Sequence, residues 1–145
     1  MKNIIILLLR FALGIGFLSA VADRFGFWGN HGAPAVAWGD WENFISYTSM
    51  LNFNVSPEVA NLLGIIATVL EITFGILLIV GYKIKLISFL AGILLLIFAL
   101  EMSVNTHIKS AFDASVFTAS FGAFLLSVQP QFKWSIDDLV RKNKL

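Results

Sequence analysis

Residues 62–81, LLGIIATVLEITFGILLIVG, are apolar almost throughout and carry one carboxylate, Glu71, near their middle. A helix of that length rises about 30 Å, the thickness of a bilayer's hydrocarbon core. A carboxylate at that depth costs about 2.5–3.5 kcal/mol on the insertion scale. Glu71 therefore needs a partner inside the protein, and the rest of the chain has to supply it. Gly64, Thr68, Glu71 and Gly75 recur at helical spacing. They make one small, polar stripe, the kind of face by which a membrane helix packs on its neighbours.

Composition places the whole chain in the same class. Hydrophobic residues are 58% and charged residues 13%, with a mean hydropathy of +0.84. Soluble domains hold about 45–50% and about 25%. The chain reads as a single transmembrane domain over residues 1–145. A net charge of +1 leaves no nucleic-acid footprint. The absence of Cys excludes a dithiol centre, thiolate metal ligation and disulfides within the chain.

The expected fold is all-α, a transmembrane four-helix bundle with helices at about 4–22, 57–81, 86–104 and 111–128, and a polar tail at 131–145. The first segment also has the look of a signal peptide, with Lys2, an apolar run and Ala20-Val21-Ala22 before Asp23. Arg10 interrupts that apolar run, and Ala12, Gly16 and Ala20 repeat at small-xxx-small spacing. Both features favour a helix retained in the bundle. A long connection follows with Trp28, Trp38 and Trp41, residues that favour the membrane–water interface. Within it, residues 40–51 are expected to form an interfacial helix capped by Asp40. Ser56-Pro57-Glu58 reads as the capped start of the second membrane helix.

Orientation follows from basic residues. Lys2, Lys83, Lys85, Lys133, Arg141, Lys142 and Lys144 fall at one end, Arg24 and Lys109 at the other. Both termini are therefore expected in the cytoplasm, with the Trp-containing connection facing outward.

Two polar groupings are candidate sites. Counted at helical rise, Arg10 lies about 9 Å and Glu71 about 15 Å from the inner surface. A guanidinium fork spans that difference, so an Arg10–Glu71 pair is expected, either a structural staple or a ligand and proton site. The second grouping lies at the outer rim. There Asp23 and Arg24 end the first helix, Glu101 and Asn105 end the third, His107 and Lys109 follow, and Asp113 begins the fourth. At a helix N-terminus, Asp113 would also serve the macrodipole. His31 and His107 are the only histidines and no HExxH or GxSxG occurs, so neither a metal centre nor a serine hydrolase triad is expected.

The run Leu9-Arg10-Phe11-Ala12-Leu13-Gly14 on to Ala22-Asp23-Arg24-Phe25, then Glu71 with Gly75 and Gly81, then Met102 with His107, resembles the DoxX family of small bacterial membrane proteins. The resemblance covers about residues 10–127. It implies a four-helix bundle in the bacterial cytoplasmic membrane and a link to quinone and thiol redox chemistry, as in a thiosulfate–quinone oxidoreductase subunit. It maps the family's Arg and Glu onto Arg10 and Glu71 and makes a quinone the candidate cofactor. The absence of Cys counts against direct thiol chemistry by this chain. The expected role is thus a subunit or accessory of a membrane redox system, with a redox partner protein at the outer face. The alternative is a non-catalytic membrane partner or assembly protein. A solute carrier is disfavoured by the lack of an inverted repeat or broken helix. Oligomeric state is left open.

Overall fold

The structure, a computed structural model, describes residues 1–52 and 55–142. The last tail residues, 143–145 with Lys144, lie outside the described residues, as do 53–54 of the long connection. The described chain is helical: α1 (Lys2–Arg24), α2 (Trp41–Leu51), α3 (Pro57–Val80), α4 (Ile84–Met102), a π-helical turn (Ser103–His107), α5 (Ile108–Asp113), α6 (Val116–Ser127) and α7 (Ile136–Lys142). Three stretches are long and apolar enough to cross a membrane: α1, α3 and the run Ile84–Asp113. Their outward faces leave Leu8, Val69 and Phe89 exposed, as helices bathed in lipid do.

Local chemistry sets most boundaries. Asp40 caps α2 as expected, its Oδ1 accepting the Asn43 N–H at 2.8 Å. Pro57 opens α3 at its first turn, where a missing N–H costs nothing. Gly81 closes α3 in the left-handed conformation, φ 76°.

The fourth helix expected at 111–128 is broken instead, so the lack of a broken helix no longer counts against a solute carrier. Ser115 adopts φ 55°, and the chain makes a turn there, with the Ser115 N–H on the Phe112 carbonyl at 2.9 Å. Asp113 and Ser115 flank this turn, and such side chains compete with the helix for backbone groups. Asp113 therefore ends α5 rather than beginning a helix, and the macrodipole argument for it falls. The remaining α6 rises about 18 Å, short of the bilayer's apolar thickness.

The bundle is held chiefly by α1 on α3 and α4 on α6, closed by α3 on α4 and α1 on α6. At the first crossing Gly14 meets Gly75: a Cβ on Gly14 would lie 2.9 Å from the Gly75 carbonyl oxygen. At the second, Ser120 donates to the Gly92 carbonyl at 2.8 Å, and the Phe124 ring fills the place of the missing Gly92 side chain. Leu13, Phe17, Phe74, Leu78, Ile87 and Leu126 make the core between them.

The described part of the tail packs on the bundle. Phe132, Ser135 and Asp138 are buried, and α7 folds back under the bundle. Asp137 caps α4 from outside, its carboxylate accepting the N–H groups of Lys83 and Ile84 at 2.8 Å each.

Candidate functional site

Glu71 is buried, as its depth requires, but its partner is Arg24 and not Arg10. The α1–α3 register explains the correction. From the Gly14–Gly75 crossing, Arg10 sits four residues toward the Gly81 end, and Glu71 four residues toward the opposite end. The two are thus about 12 Å apart along the bundle axis. Helical side chains also lean toward their own N-terminus. Arg10 leans away from Glu71. Arg24, ten residues beyond Gly14, leans back down toward it, and Glu71 leans up to meet it. Counting each residue from its own segment's end missed both effects.

Arg24 Nη1 contacts Glu71 Oε2 and donates to Thr68 Oγ1 at 2.6 Å. The Thr68 hydroxyl in turn donates to the Gly64 carbonyl at 2.8 Å. The small and polar stripe of α3 is therefore the floor of the site, and Gly64, Thr68, Glu71 and Gly75 are all buried.

Aromatic rings roof it. The Arg24 guanidinium carbon lies 3.9 Å from the centroid of the Phe44 ring and 5.2 Å from that of Trp38. Cations over aromatic faces gain about 2 kcal/mol when desolvated. Trp38 and Phe44 meet edge to face at 5.2 Å. Phe44 comes this close because Gly64 has no side chain: a Cβ there would lie 3.1 Å from the Phe44 ring. Tyr47 stands beside Trp38, and burial, then the Glu101 charge, pushes its hydroxyl pKa up.

Asp23 holds the roof in place. Its carboxylate accepts the N–H groups of Ala37, Trp38 and Gly39 at 2.8, 3.3 and 2.9 Å. Gly39 is required there by φ 75° and by the His31 and Asn30 backbone pressed against it. Asp23 is thus a positioning residue for Trp38.

Arg24 Nε is buried and has no hydrogen-bond partner among the described residues. The site consequently contains a charge pair, a hydroxyl, two ring faces and one free buried donor. Buried donors are rarely left unpaired, which makes this one a candidate contact for a ligand oxygen.

The other rim candidates do not join it. His107 is exposed and its Nδ1 accepts the Lys109 N–H at 3.2 Å. Asp113 pairs with Lys109 on the surface. Glu101 is half-buried next to the π-helical turn, against which α2 packs. Arg10 lies at the opposite end, 1% exposed, with Nη2 on the Trp134 carbonyl at 2.8 Å and its other nitrogens without a hydrogen-bond partner among the described residues. The roof of Trp38 and Phe44 was not foreseen. Its only trace in the sequence was the density of aromatic residues around a capped interfacial helix. No protein-family model, curated protein or solved structure matches the chain.

Proposed function

We propose that this chain is a multi-pass protein of the bacterial cytoplasmic membrane, with both termini in the cytoplasm, that binds a quinone headgroup at the Arg24–Glu71 site. In this reading it serves as a DoxX-like accessory of a membrane redox system. The observation that carries the reading is the buried Arg24 Nε, without a hydrogen-bond partner among the described residues, beside Glu71 beneath two aromatic rings. A quinone supplies two-electron, two-proton carriage when bound. Its flat ring and paired oxygens suit an aromatic roof and a guanidinium donor. Arg24 would donate to one oxygen, and Glu71, the carboxylate closest to it, would hold or release a proton. Trp38 and Phe44 would exclude water and orient the ring.

A second reading is a structural staple in a non-catalytic membrane partner. What favours it is the closeness of the Phe44 ring and the 2% exposure of Arg24. Titration of the purified protein with decylubiquinone, read by tryptophan fluorescence, separates the two. Saturable quenching that weakens about tenfold or more in Glu71→Gln supports the quinone site. Quenching that does not saturate, or that Glu71→Gln leaves unchanged, leaves the staple.

A further inference from the structure

The end of the bundle opposite the Arg24 site carries a cleft of about 340 Å³ between the start of α4 and the C-terminal segment. Lys83, Lys85 and Arg141 line it together with the apolar Leu86, Pro130 and Phe132. Two carboxylates line it as well, and both are already engaged. Asp137 accepts the first N–H groups of α4, and Asp138 pairs with Arg141 and Lys142. Lys83 and Lys85, by contrast, have no acidic partner among the described residues. The cleft thus offers two ammonium groups that no described carboxylate pairs with.

What lies next to these ammonium groups narrows the ligand. From Leu86 onward, α4 turns Phe89, Leu90 and Ile93 outward, all exposed. An occupant is therefore met by cations at its head and by a continuous apolar helix face along its body. A free anion uses only the first feature. A zwitterionic lipid brings its own cation against the lysines. Basic pockets at the ends of membrane helices are recognised as seats for anionic headgroups on these grounds. We propose that this cleft is a binding site for an anionic phospholipid, its phosphate on Lys83 and Lys85 and its acyl chains along α4. The fold-back of α7 supplies the second wall, so a segment that reads as a tail becomes half of the site.

Native mass spectrometry of the full chain from nanodiscs with equal phosphatidylglycerol and phosphatidylcholine tests this. The wild type is expected to retain phosphatidylglycerol preferentially. The double variant Lys83→Asn, Lys85→Gln is expected to lose that retention by about fivefold or more, with phosphatidylcholine unchanged. Asn is chosen because Lys83 has φ 48°, which Asn tolerates. Lys109→Gln, at the other end, is expected to retain the lipid. If circular dichroism shows that the double variant has lost helix, Lys85→Gln alone carries the comparison. Retention that the lysine variants leave unchanged, or that Lys109→Gln reduces equally, would overturn the proposal. Inorganic phosphate protecting the detergent-solubilised protein from heat as well as phosphatidylglycerol does would assign the cleft to a free anion and overturn it too.

Discussion

Arg24 and Glu71 depend on each other unequally. A carboxylate left alone in an apolar site can neutralise itself by taking a proton, whereas a guanidinium cannot. Glu71→Leu strands the Arg24 charge and is expected to cost about 3–5 kcal/mol in detergent. Arg24→Met leaves Glu71 with that escape and is expected to cost less. Denaturant titration followed by circular dichroism measures both. Asp23→Asn tests the roof. One carboxylate oxygen becomes an amide nitrogen that cannot accept from the backbone of residues 37–39. Trp38 is expected to loosen and its emission to shift, with the membrane helices intact. The need for a partner at Glu71 was legible from the apolar run around it. Which arginine answered was not, because register and side-chain lean are properties of two packed helices and appear in neither segment alone.

At the scale of the elements, helix crossings and the folded-back C-terminus do most of the positioning. Gly14→Ala places a Cβ against the Gly75 carbonyl, a backbone group with no rotamer to move. Overpacking of that kind is expected to cost about 1–3 kcal/mol and to weaken the Arg24–Glu71 contact with it. Asp137→Ala removes the borrowed cap of α4 and is expected to cost about 1 kcal/mol. Asp138 ties α7 to its own last turn. Its bonds to Lys142, then to Arg141, hold its carboxyl below the usual aspartate range. A depressed carboxyl contributes stability above its unfolded value and loses it as pH falls. The last turn of α7 is therefore expected to fray below about pH 4, and hydrogen exchange in residues 136–142 would follow it. Helices α1 to α4 were legible from apolar runs, caps and glycines. The break at Ser115 and the docking of 131–142 were not. The first rests on one left-handed residue, and the second on long-range partners such as Arg10 and Gly81, which bonds the Asp137 N–H through its carbonyl.

The molecule as a whole sets one arginine of α1 at each end of the bundle. Arg10 holds the C-terminal segment through the Trp134 carbonyl, and Arg24 holds Glu71 beneath the aromatic roof. The excess of basic residues at the Arg10 end leads us to expect that end in the cytoplasm. A reporter fused after residue 145 and another inserted near residue 32 are then expected on opposite sides, and the same side for both would contradict that topology. The central claim is that the polar lock of the bundle joins Arg24, and not Arg10, to Glu71. Double-mutant cycles in denaturant, with Glu71→Leu combined in turn with Arg24→Met and Arg10→Met, test it directly. The account predicts a coupling of about 2–3 kcal/mol for Arg24 with Glu71 and less than about 0.5 kcal/mol for Arg10 with Glu71. The reverse order, or additivity in both cycles, would contradict it.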